Sequence, residues 1–142
     1  VMQEANKARI RLHSKQDGNV VVQEAVAEVF ERGGALYLKY EEPEADLKGR
    51  KTRTLLKIAR DHLKMIRHGA VESEQTFQEG AALPGFYRSP YTSFNLSTRT
   101  NSLEIKWTGG FSGTVSWTYD LYVHEECTGH FDISLHIQED TQ

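Results

Sequence analysis

The segment from Thr114 to Gln138 restricts the possible folds more than any other part of the chain. Val115, Trp117, Tyr119, Leu121 and Val123 alternate with Thr114, Ser116, Thr118, Asp120, Tyr122 and His124. A second run follows, in which Phe131, Ile133, Leu135 and Ile137 alternate with His130, Asp132, Ser134, His136 and Gln138. A strand turns successive side chains to opposite faces, so this period-two pattern predicts two strands with one buried face each. Glu125 to Gly129 lies between them as a hairpin loop with glycine at its end. The hairpin presents a wall of large apolar groups that the rest of the chain must cover.

The earlier segments have the same grammar. Lys7 to Lys15 places Ile10 and Leu12 on one face, and Asp17-Gly18 is a turn dipeptide. Ala35 to Glu42 places Leu36, Leu38 and Tyr40 together. Lys51 to Arg60 does the same for Thr52, Thr54, Leu56 and Ile58, and Leu63 to His68 for Leu63, Met65 and Arg67. Val71 to Gln78 is a weaker strand, and Gly80 to Pro90, with two glycines and two prolines, reads as a connector. In Tyr91 to Trp107 the apolar parity changes: Phe94, Leu96 and Thr98 share one, and Leu103, Ile105 and Trp107 the other. A bulge or turn near Asn101-Ser102 has to absorb that slip. Val20 to Arg32 is open between two readings. Val22, Val26, Val29 and Phe30 have helical spacing with Gly33-Gly34 as a stop, yet the segment opens with three valines after a turn.

With 142 residues there is enough chain for one domain and one core, over residues 1–142 with an ordered part of about 8–138. Many short strands with turns at near-regular intervals predict an all-β fold, a single antiparallel up-and-down barrel of eight to ten strands. Closure removes the unpaired edges that an open sheet would expose. No apolar run approaches the length of a membrane helix. Val1-Met2-Gln3-Glu4 lacks the charged-then-apolar layout of a secretory leader, and Cys127 has no second cysteine to pair with. A cytoplasmic location is the expectation.

Met65-Ile66-Arg67-His68-Gly69, followed by Phe77, Gly80, Tyr87, Pro90-Tyr91 and Thr98, resembles the YwiB-like family over about Ile10 to Ile137. These are small bacterial proteins classed as a domain of unknown function with a lipocalin-like (calycin) β-barrel. The resemblance implies that barrel, favours a strand for Val20 to Arg32, and implies no activity. One departure is Thr92, which stands where the family pattern has glycine after the proline-aromatic pair; a side chain there argues against a positive φ in that turn.

Three features bear on function. Arg67 shares its face with Leu63 and Met65, so it points into a barrel if they do. An inward guanidinium needs a partner, and its fork of donors suits a carboxylate or phosphate head group. The alternatives are a position at the barrel mouth in contact with solvent, or an internal pair with Glu72, Glu74 or a tyrosine. Second, Trp117, Tyr119, Tyr40, Phe94, Trp107 and Phe131 either line a cavity or fill it, filling being the usual fate of aromatics on alternating strand positions. Third, His124, Cys127 and His130 are zinc-compatible residue types, but their spacing fits no standard module, so no metal is assigned.

Charge is uneven as well. Lys48 to Arg67 holds eight basic residues against Asp61 alone, +7 in a chain of net −3, which leaves −10 elsewhere. This is either a polyanion-binding surface over Lys48 to Lys64 or the solvated outer face of two strands. The acidic stretch Glu41 to Asp46 reads as a solvated turn. No phosphate loop, nucleophile elbow or His-Glu-x-x-His pattern occurs, so neither an enzyme nor a cofactor is expected. The leading expectation is a non-enzymatic binding module for a small, partly apolar ligand with an anionic end. Arg67 would hold the charge, and Tyr40, Trp117 and Tyr119 would supply contact surface. The alternatives are the polyanion surface, or an interaction protein with a filled core.

Overall fold

The computed structural model describes residues 6–140; the leaderless reading of Val1 to Glu4 lies outside them. Ten strands run in order: β1 (Asn6–Gln16), β2 (Asn19–Arg32), β3 (Ala35–Glu41), β4 (Thr52–Ile58), β5 (Leu63–Gly69), β6 (Glu72–Phe77), β7 (Ala82–Arg88), β8 (Ser93–Gly109), β9 (Ser112–Val123) and β10 (Glu126–Glu139). Each pairs antiparallel with its neighbour in sequence, and β1 pairs with β10 to close the barrel. The predicted up-and-down meander is the observed fold.

The inward faces follow the alternation. Trp117 and Val115 are buried on β9, Ile133, Leu135 and Ile137 on β10, and Thr52, Thr54, Leu56 and Ile58 on β4. Val20 to Arg32 is strand throughout. The helical spacing of its valines is coincidental, because Ala27 and Val29 face the core while Val20, Val22 and Val26 face out. Asp17-Gly18 and Gly33-Gly34, all at positive φ, make the tight turns on either side of it. The parity change in β8 is resolved by a bulge: Thr100 pairs with Tyr119 and Ser102 with Thr118, leaving Asn101 as the extra residue.

Three local readings are corrected. Gly80 to Pro90 is mostly strand β7, and Pro84 fits there because the β6–β7 ladder stops at Glu74–Phe86, so its missing N–H has no bond to make on that side. The last hairpin turns two residues earlier than expected, at His124-Glu125, both at positive φ. Val123 therefore pairs with Glu126, Phe131 pairs with Tyr119, and Thr128 is bulged between Cys127 and Gly129. Trp107 is 45% exposed and is no part of the aromatic wall, since β8 has left the core by that point. At Thr92 no positive φ occurs; the turn is closed by the Ser89 N–H donating to the Thr92 carbonyl, and glycine is not required there.

Candidate functional site

Strand registers stack the inward side chains of β3 to β6 in rows whose polarity rises towards one end of the barrel. The first row is Leu36, Ile58, Leu63 and Phe77, and the second is Leu38, Leu56, Met65 and Gln75. The third is Tyr40, Thr54, Arg67 and Ser73, continued by Tyr87 on β7 and Phe94 on β8. An apolar floor thus carries a polar rim. Each rim residue occupies the inward parity of its own strand, so the rim follows from sequence alternation.

Arg67 is the expected inward guanidinium, and its partner is Glu42, not Glu72, Glu74 or a tyrosine. Arg67 Nε donates to Glu42 Oε2 and Nη2 to Oε1, both at 2.8 Å, a side-on bidentate pair. The Thr54 hydroxyl donates to Oε2 at 2.7 Å. The sequence suggests a solvated acidic turn for Glu42. It lies two residues beyond Tyr40 and retains the inward parity of Leu36, Leu38 and Tyr40; extending that alternation one step past the strand end would have found it. The backbone holds it there, with the Glu42 N–H donating to the Thr52 carbonyl. Glu72 and Glu74 instead pair with His68 and Lys64, outside the cavity.

The electrostatics follow from this geometry. Burial alone would raise the Glu42 carboxyl, but hydrogen bonds from Arg67 and Thr54 outweigh it and hold the group below the ordinary carboxylate value. For Arg67, burial works against the charge, and the hydrogen bond and charge of Glu42 more than restore it. Burial, reinforced by the Glu42 charge, pushes the Tyr40 phenol up to about 12, and burial does the same to Tyr119. Both phenols are neutral hydrogen-bonding groups at physiological pH.

A cavity of about 290 Å³ opens at this end, lined by Arg67, Glu42, Tyr40, Gln75 and Gln23 on its polar side and by Met65, Phe77, Trp117 and Ile133 on its apolar side. All four residues picked out from sequence (Arg67, Tyr40, Trp117, Tyr119) line it. The aromatic groups both fill and line: Phe77 packs on Trp117 and Tyr119, and Tyr119 stacks on Phe131 at 4.8 Å between ring centres. Phe94 is half-buried and stacks on Tyr87 at the rim. The Trp117 indole N–H and the Thr100 hydroxyl are buried without a hydrogen-bond partner among the described residues.

The other candidates disperse. His130 Nδ1 sits 2.7 Å from Asp120 Oδ1, and Asn101 donates to the other carboxylate oxygen. Cys127 lies exposed near the turn, and no cluster of three or more His, Cys, Asp or Glu able to hold a metal occurs among the described residues. Within the basic segment, Arg50 pairs with Asp46, Lys51 with Glu41, Lys64 with Glu74 and Arg67 with Glu42, so half of its cations are already neutralised. A larger concavity of about 950 Å³ runs along the outer faces of β1, β2, β9 and β10, past Arg9, Arg11, His13 and His136. Arg11 there is engaged by Glu24.

Residues 7–135 match the profile of the family described as Domain of unknown function (DUF1934). A similar protein is the uncharacterized beta-barrel protein YwiB of Bacillus subtilis (strain 168), 31% identical over 123 residues that cover 82% of this chain and 84% of that one. The crystal structure of the ywiB protein from Bacillus subtilis superposes with a TM-score of 0.76, covering 95% of this chain and 91% of that chain at 23% identity.

Proposed function

The chain belongs to the DUF1934 family of YwiB-like β-barrel proteins, and within that family we propose that it is a non-enzymatic binding protein for a small, partly apolar ligand taken at the barrel mouth. The observation that carries this reading is the row-by-row rise in polarity around a cavity of about 290 Å³. That size is at the lower edge of the usual small-molecule range of about 300–1,000 Å³. The apolar body of the ligand would rest on Met65, Phe77, Trp117 and Ile133. Its acceptor end would meet Arg67, Tyr40 and Tyr119.

The Glu42 pair modifies the expected role of Arg67. Glu42 occupies Nε and one proton of Nη2, leaving Nη1 and the second Nη2 proton to donate. A free cation in the cavity would attract any anion; this pre-paired one favours a ligand whose anionic end fits the remaining edge. Polyanion binding is less well supported, because three of the seven basic groups of Lys48 to Lys64 that it would use are in ion pairs.

Two measurements test the proposal. Native mass spectrometry of protein taken directly from cells should show a bound small molecule. Titration with 8-anilinonaphthalene-1-sulfonate, an apolar body with an anionic end, should saturate at one site and weaken about tenfold in Arg67→Met, the equivalent of about 1.4 kcal/mol. An unloaded protein whose dye binding is indifferent to Arg67→Met would refute it.

A further inference from the structure

The β2 strand is fourteen residues long, and β1 pairs with it along Asn19 to Val29. On its other side β3 pairs only with Glu28 to Arg32. The nine residues Asn19 to Ala27 therefore have one edge with no strand partner among the described residues. The cause is visible in the register. Continuing the β2–β3 ladder would set Val26 against Glu41 and Glu24 against Pro43, and proline has no N–H to donate. The chain instead bends inward, carrying Glu42 to Arg67.

The direction of the unpaired groups follows from the turn. Asp17-Gly18 is a two-residue hairpin turn, so Gln16 and Asn19 form a hydrogen-bonded pair, and the odd-numbered residues of β2 bond towards β1. The backbone N–H and C=O groups of Val20, Val22, Glu24 and Val26 therefore point away from β1, to the open edge. The same residues carry the outward side chains, and the three valines are 59%, 44% and 60% exposed. Apart from Glu24, whose charge is met by Arg11, the usual protections of an edge are missing: this stretch has no proline, no lysine, no bulge and no inward charge.

From this edge we infer that two copies of the chain associate by antiparallel β2–β2 pairing across a two-fold axis at Gln23. Among the symmetric registers, this one alone puts Val20 opposite Val26 of the second copy and Val22 opposite Glu24, with Val21 opposite Ala25 on the inner side. A centre at Glu24 would set two carboxylates face to face, which is destabilising. A centre at Val22 would shorten the ladder by two residues. In the Gln23 register each Glu24 keeps its own Arg11, 3.1 Å away, so no acid is left without a counter-charge. Such a contact is isologous, as two-fold symmetry (the commonest among homo-oligomers) requires, and it joins the two barrels through one continuous sheet.

The test is the mass in solution, by light scattering on a sizing column across a range of protein concentrations. The wild-type protein should be dimeric at high concentration. Val20→Lys combined with Val26→Lys changes only exposed positions and should give a monomer with unchanged circular dichroism. Val22→Pro removes an N–H that points to the open edge, sparing the β1 ladder, and should have the same effect. In a Cys127→Ser background, Gln23→Cys should form an intermolecular disulfide on oxidation, since the two residues face each other at the axis, whereas Val21→Cys should not. A wild-type monomer at every concentration, or a dimer that survives the paired lysines, overturns the inference. Cross-linking through Val21→Cys but not Gln23→Cys overturns the register.

Discussion

Removing the Glu42 carboxylate tests the organisation of the barrel mouth most directly. Its two oxygens accept from Arg67 Nε, Arg67 Nη2 and Thr54 Oγ1. In Glu42→Ala the guanidinium loses its counter-charge. Stripping one partner from a fully buried pair costs about 3–5 kcal/mol. The Arg67 side chain is 28% exposed at an open end, so water recovers part of that, leaving about 2 kcal/mol. The Thr54 side chain is closed off from solvent, and its stranded hydroxyl adds about 1 kcal/mol. The total of about 3 kcal/mol corresponds to a fall in Tm of about 10 °C for a domain of this size.

Urea unfolding followed by the fluorescence of buried Trp117, in a Trp107→Phe background, would measure it. Glu42→Leu with Arg67→Met, which removes both charges, should recover most of the loss. A cost below about 1 kcal/mol for Glu42→Ala would refute this account, because the pair would then contribute no more than an exposed one. A double variant as unstable as the sum of its singles would do the same.

Other outcomes follow from the same structure. Because Glu42 is held below its ordinary value of 4.5, its contribution is complete above that pH and is lost as pH falls through the lower folded value. Acid unfolding of Glu42→Gln should lack that portion of the slope. At the other extreme, Tyr40 and Tyr119 stay neutral to about 12 when folded, while the unfolded chain ionises them near 10. Stability should therefore decline as pH rises from 10, and absorbance titration of the folded protein should show Tyr40 and Tyr119 ionising late. The turn His124-Glu125 places two non-glycine residues at φ of 52° and 64°. Replacing them with Asn-Gly should stabilise by about 1 kcal/mol in urea titration. Gly85 lies against the Glu74 carbonyl with no room for a Cβ, so Gly85→Ala should open the three-residue β6–β7 seam and raise amide exchange there.

The barrel was legible because alternation is a local signal that survives in nearly every strand, and the Asn101 bulge was legible because it breaks that signal. What escaped had a non-local cause. Val22, Val26 and Val29 fit a helix as well as a strand until Ala27 and Val29 are seen to be the buried positions. Pro84 and Gly85 look like a connector unless the neighbouring ladder is known to have ended. The inward course of Arg67 came from parity alone. Its partner lies twenty-five residues earlier, in a stretch whose proline and acids suggest solvent.

The β1–β10 seam has a consequence for how the molecule assembles. Nine of the ten seams are hairpins between consecutive strands, whereas this one joins Ala8 to Glu139 and Ile10 to Ile137. Each hairpin can zip as soon as its own two strands exist, but the last ladder must wait for nearly the whole polypeptide and meets the largest loop-closure entropy. A chain leaving the ribosome therefore carries a growing curved ribbon with the edge of β1 unmatched until β10 emerges. In that interval the bare strand edge is a template on which another chain can pair.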